Sequence, residues 1–156
     1  MTTAKTTPRS VLGRIKTSYP RIQHLLVPLD FSGKSRQALR YAVPLAQKFS
    51  AKIHLVHVLP PVTKANASDL PRLRREAIKR LGEMALQLLP PRLRDENAVL
   101  TGRPAEEILT LASKNNIDLI VLTTKGRSGL KRALVGSTAE SIMRHAHCPV
   151  MSVRRR

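Results

Sequence analysis

The residue types best suited to chemistry in this chain fall in one stretch, Leu119-Ile-Val-Leu-Thr-Thr-Lys-Gly-Arg-Ser-Gly-Leu-Lys-Arg-Ala-Leu-Val-Gly-Ser-Thr138. A short apolar run breaks into a polar segment punctuated by Gly126 and Gly129. Gly136-Ser137-Thr138 then leads into a helical pattern. The order is buried strand, loop, helix start. Glycines widen the backbone's choices and let a ligand approach it closely. Unpaired N–H groups at a helix start, at the positive end of the macrodipole, attract phosphate. The stretch therefore reads as a phosphate-binding loop. A plain strand-to-helix connection capped by Ser137 fits the spacing equally well.

Asp30 follows the apolar run Ile22 to Pro28, where a strand would end. A carboxylate there can bond a base or ribose, or hold a metal beside phosphates. Asp also bonds nearby backbone in turns, and both roles remain open. Gly33-Lys34-Ser35 has the look of a Walker loop, but the glycine that motif needs five residues earlier is Pro28. His145-Ala-His147-Cys148 matches no common zinc spacing. Cys148 before Pro149 reads as a small apolar residue entering a sheet. His54 and His57 fall on opposite faces of one strand and read as satisfied core or edge histidines. No Ser-His-Asp order and no paired carboxylates are visible, so neither catalytic residues nor metal ligands are expected.

The elements that must position these residues alternate along the chain. Ile22–Pro28, Lys52–Val58, Asn97–Leu100, Asp118–Leu122 and Pro149–Val153 are short apolar runs, as expected of strands covered on both faces. Between them lie helical patterns. The first runs from about Gly33 or Lys34 to Phe49, with Pro44 inside it and a bend expected there. The second runs from Pro71 to about Leu89 with a stripe of Leu73, Ala77, Leu81, Ala85 and Leu88. The third starts at Pro104 and reaches Lys114; the fourth spans about Ser137 to His145. Strand–helix alternation implies a parallel sheet with helices on both faces and right-handed crossovers. Ligands of such sheets lie beyond the carboxyl ends of the strands, where strand order reverses. Asp30 and the segment around Gly126 would meet there.

Composition limits the rest. A chain of 156 residues with 42% hydrophobic content suits one domain with an aliphatic core, there being no Trp. No apolar run approaches the ~20 residues of a membrane helix. One Cys allows no intramolecular disulfide. The net charge of +18 favours encounters with polyanions, including nucleic acid. Aromatic residues at 3% leave little for base stacking, and a merely basic, solvated surface is the plainer reading. Residues 1–20 carry no Asp or Glu and no apolar periodicity, so a flexible basic arm is expected before a domain at 21–154.

Taken together, Leu26-Val-Pro-Leu-Asp-Phe-Ser32, Leu55-Val-His-Val58, Gly102-Arg-Pro-Ala-Glu-Glu-Ile108, Gly126-x9-Gly136-Ser137 and Cys148-Pro-Val150 resemble the universal stress protein family, within the adenine-nucleotide α-hydrolase-like folds. The resemblance covers about residues 21–154. It implies an α/β, single three-layer domain with a five-stranded parallel sheet in the order 3-2-1-4-5. It implies ATP, with or without Mg2+, contacted by Pro28 and Asp30, by the backbone at Val58, and by Gly126, Arg127, Gly136, Ser137 and Thr138. Thr123 departs from the family's Gly-x2-Gly-x9-Gly-Ser/Thr motif, since it stands at the first glycine and resists positive φ. The resemblance further implies a cytoplasmic homodimer paired through Val150 to Val153, and a stress-response role with slow or absent hydrolysis. The alternative is a nucleotide-free family member that binds protein or nucleic acid through its basic surface.

Overall fold

A computed structural model describes residues 21–64, 67–124 and 135–154. The expected basic arm, Gly126 and Arg127 lie outside the described residues. The strands are β1 (His24–Pro28), β2 (Lys52–Leu59), β3 (Ala98–Thr101), β4 (Leu119–Thr123) and β5 (Val150–Val153). They form one five-stranded sheet in the order β3-β2-β1-β4-β5, and every pair is parallel. The helices are α1 (Leu39–Phe49), α2 (Leu70–Leu88), α3 (Pro104–Lys114) and α4 (Ser137–His145). The fold class and strand order are those expected.

Three consecutive residues of β1, Leu25, Leu26 and Val27, are fully buried. Successive strand side chains point to opposite faces, so burial in a row requires cover on both. Leu25 and Val27 pack with Ala42 and Ala46 of α1 and with Ala77 and Leu81 of α2. Leu26 packs with Ile108 and Ala112 of α3 and with Ala139 and Ile142 of α4. Burying each of the leucine, isoleucine and valine side chains contributes roughly 1.5–3 kcal/mol. The alanines of α1 keep that helix close to the sheet.

Local signals set the helix ends. A 3-10 turn, Ser35–Ala38, precedes α1, so the regular helix begins later than its periodicity suggested. Pro44 lies inside α1, and Ser50 ends the helix in the left-handed conformation with its N–H on Ala46 and Gln47 carbonyls. Proline occupies the first turn of both α2 and α3, where its missing donor costs nothing. The stripe of α2 is Ala77, Leu81, Met84 and Ala85; Leu88 is 43% exposed. Leu89, just past the helix, is buried in its place as the chain turns inward.

Asp118 has a structural task. Its Oδ2 accepts the backbone N–H groups of Gln23 (2.8 Å) and His24 (2.9 Å), which ties the start of β4 to the start of β1. Charge-assisted bonds of this kind are about twice as strong as neutral ones. Among the described residues no helix is long and apolar enough to cross a membrane.

Gly102, between β3 and α3, has φ of 150° and donates its N–H to the Leu59 carbonyl at 3.0 Å. A Cβ there would lie 2.6 Å from Glu107 Oε1. Gly102→Ala is expected to cost about 1–3 kcal/mol through this backbone conformation. Urea unfolding would measure it, and a loss below ~0.5 kcal/mol would mean that the turn relaxes around alanine.

Candidate functional site

The chain begins in the middle of the sheet, builds β2 and β3 on one side, then returns to build β4 and β5 on the other. Strand order therefore reverses between β1 and β4. The chain goes on from β1 to α1 on one face and from β4 to α4 on the other, and a cleft opens at the carboxyl ends of the two strands. That cleft has a volume of about 270 Å3.

Residues distant in sequence form its walls. Pro28 and Asp30 come from the end of β1, Val58 from β2, and Gly136, Ser137 and Thr138 from the start of α4. All six were expected at a site together, and they are together. Val56, Ile108, Leu122 and Ile142 add an apolar wall. Ser35, His57, Thr123 and Thr124 also line the cleft, and among the described residues Asp30 is its one charged group.

The loop that carries Asp30 is held by its own side chains. Asp30 Oδ1 accepts the Ser32 N–H at 2.9 Å. Ser35 Oγ accepts the Asp30 N–H at 3.3 Å and donates to the Ser32 carbonyl at 3.1 Å. Ser32 Oγ accepts the Ser35 N–H at 3.0 Å. This is the turn chemistry anticipated for Asp30, and it coexists with a place in the cleft wall. Between them Phe31 takes φ of 62°. Its ring lies 4.1 Å from that of His57, with the Arg80 guanidinium 4.6 Å above it. His57 Nδ1 must be protonated, since it donates to the Leu29 carbonyl at 2.7 Å.

On the other side, the Gly136 N–H donates to the Thr124 carbonyl at 2.7 Å and ties the start of α4 to the end of β4. Gly136 has φ of −74°, which any residue adopts, and a Cβ there would meet the Thr124 carbonyl at 3.4 Å. It precedes the first residue of α4 and makes no side-chain cap. Ser137 is thus the first helical residue, which corrects the reading of Ser137 as a simple cap. The first-turn N–H groups have no intrahelical partner, no side-chain cap is present among the described residues, and the turn borders the cleft. Thr123 ends β4 opposite Val153, in a strand that suits a β-branched residue. The positive φ that glycine would have supplied is not used there.

The residues missed from sequence are Ser35, His57, Thr124 and the apolar wall. Their signal was position alone: each sits at or just past a strand end, or on a helix turn facing one. Among the described residues, His145, His147 and Cys148 are not gathered into a ligand cluster. Burial pushes the Cys148 thiol up, and nearby Asp118 adds to this, so it is a poor thiolate.

A doubly wound parallel sheet with a cleft at its reversal point defines a class of ligand-binding α/β domains. The sequence pattern of the "Universal stress protein family" matches residues 21–154, and the chain belongs to that family. Universal stress protein MJ0531 of Methanocaldococcus jannaschii is 33% identical over 138 residues, covering 84% of this chain and 81% of that one. The structure of universal stress protein UspA from Lactobacillus plantarum is similar with a TM-score of 0.71 and 28% identity, over 86% of this chain and 99% of that one. Two further structures share the fold: a universal stress protein in complex with cAMP (TM-score 0.59, 22% identity, 86% and 98% coverage) and one from Archaeoglobus fulgidus in complex with dAMP (TM-score 0.56, 17% identity, 86% and 99%).

Ser35 is buried and serves both strands of this loop network. Ser35→Ala is expected to lower unfolding free energy by about 1 kcal/mol. Chemical denaturation checks it; an unchanged midpoint would mean that Ser32 alone holds the turn.

Proposed function

We propose that this protein is an adenine-nucleotide-binding regulatory module of the stress response, with ATP as its ligand and little or no hydrolysis. The observation that carries the reading is the convergence of Pro28, Asp30 and Val58 with Gly136, Ser137 and Thr138 on one cleft at the sheet's reversal point. The solved relatives in complex with cAMP and dAMP support the choice of an adenine ligand.

Each part of the cleft has a role in this reading. The base lies against Val56 and Ile108 and is recognised through the backbone at Val58. The Asp30 carboxylate accepts a ribose hydroxyl. The phosphates lie over the N–H groups at the start of α4, where the helix dipole favours an anion. Gly126 and Arg127 complete the phosphate contacts from the loop, and Mg2+, where present, screens the phosphates. Among the described residues Asp30 is the one carboxylate in the cleft, and no second acid stands beside it to pair with it in proton transfer, which favours binding over turnover.

A second reading rests on α2. Arg72, Arg74, Arg75, Lys79 and Arg80 are all exposed on it, and such a face suits nucleic acid or an acidic protein. Calorimetry separates the two. ATP is expected to bind wild type with one site per chain. Asp30→Ala should weaken it about tenfold or more, by loss of a charge-assisted bond, and Gly136→Val should abolish it by filling the cleft. Wild type that takes up no ATP at millimolar concentration would overturn the proposal and leave the basic face as the functional surface.

The reading includes a homodimer in a cytoplasmic setting. β5 ends the sheet, and Met151 on it is 37% exposed, so pairing through Val150 to Val153 would cover both an open edge and an apolar side chain. Sedimentation should find dimers of wild type and monomers of Met151→Lys. Dimers retained in the variant would place the interface elsewhere.

A further inference from the structure

At the opposite end of the sheet three side chains that can ligate a metal converge. His24 opens β1, and His54 is the third residue of β2. The register pairs Leu26 with His54 and His24 with Lys52, so both histidines lie on one face, a diagonal step apart. A lone bridge between Ile53 and Arg94 brings Asp95 alongside them. His24 is four residues upstream of Pro28, so the cluster stands roughly 13 Å of strand from the cleft.

The donor atoms are close to one another. His24 Nδ1 lies 3.1 Å from His54 Nε2, His54 Nε2 lies 3.3 Å from Asp95 Oδ2, and His24 Nδ1 lies 3.8 Å from the same oxygen. Metal bonds of about 2.0–2.1 Å in a tetrahedron put ligand atoms about 3.3–3.4 Å apart. The three distances bracket that value.

Protons serve this arrangement poorly. If His24 Nδ1 donates to His54 Nε2, a bare nitrogen lone pair faces the Asp95 carboxylate. If His54 Nε2 donates, one hydrogen must serve both His24 and Asp95. A cation among the three atoms satisfies all of them. The other nitrogen of His54, buried Nδ1, has no hydrogen-bond partner among the described residues, so its polar contacts all run through Nε2. The side chain of His54 is 9% exposed, against 39% for His24 and 28% for Asp95, so one side of the cluster opens to solvent.

We propose that His24, His54 and Asp95 form a mononuclear site for a divalent metal of borderline softness, with Zn2+ the best match and an open fourth position. Two imidazoles and one carboxylate suit Zn2+ better than Mg2+ or Ca2+, which take oxygen ligands. The site is separate from the nucleotide cleft and does not depend on it.

The test uses the full, tag-free chain stripped with chelator and titrated with Co2+, whose visible absorption reports tetrahedral nitrogen and oxygen ligation. One equivalent is expected to saturate wild type, and Zn2+ should displace it and raise the Tm. His24→Gln and Asp95→Asn change partly exposed side chains, so both should keep the unliganded Tm. Each should weaken binding at least tenfold. Cys148→Ser and His147→Gln guard against capture by the other histidine-rich segment and should bind like wild type. Absence of a Co2+ spectrum in wild type would overturn the proposal. So would binding that survives His24→Gln and Asp95→Asn, or that is lost only with Cys148→Ser or His147→Gln.

Discussion

The structure depends on one constraint: both faces of a parallel sheet must be covered. Leu25, Leu26 and Val27 leave β1 no solvated side, so it must be central. A central first strand makes the chain build outward in two directions. Right-handed crossovers then send α1 and α2 to one face and α3 and α4 to the other. The cleft is a consequence of this. Where β1 and β4 lie side by side, the chain goes on to α1 on one face and to α4 on the other, and among the described residues a cleft is left between them.

What surrounds that space determines what it can hold. Among the described residues its walls are mostly aliphatic, and its polar groups are hydroxyls, backbone N–H groups, the His57 imidazole and one carboxylate. The charge of +18 is spread over the chain and affects encounter with an anion more than its fit. Fit comes from fixed groups. The Asp30 turn is held by its own serines, and the Gly136 to Thr124 bond fixes where α4 begins. Both ends of the cleft are therefore arranged before any ligand arrives, which reduces the ordering cost of binding.

The fold was legible in the sequence because its signals are local and repeated. Pro71 and Pro104 mark helix starts, and the strands are short aliphatic runs between turn residues. Misjudgements arose where burial depends on partners. Leu88 continues the period of α2 yet is exposed, because the sheet no longer lies beneath that turn, and Leu89 reaches the core instead. Thr123 resembled a defect when measured against a glycine motif, but the strand continues to that residue and no positive φ is needed. Six of the expected site residues could be placed because strand ends and helix starts are readable. Ser35 and His57 could not, because their roles come from tertiary neighbours.

The histidines make the same point at the other end of the sheet. His54 reads from sequence as a satisfied core residue, yet its Nδ1 has no partner among the described residues and its Nε2 faces two other potential ligands. No spacing rule could join residues 24, 54 and 95. The first two are brought together by parallel register and the third by a single bridge beside β2. Burying a histidine in an aliphatic sheet costs free energy unless its nitrogens are served, and leucine would fill the same space without that cost. The fold thus carries a polar group where packing alone would favour an apolar one. A cation held by three converging lone pairs would serve Nε2 of His54 and account for the approach of Asp95 to the same point, with the hydrogen of the ring left on Nδ1.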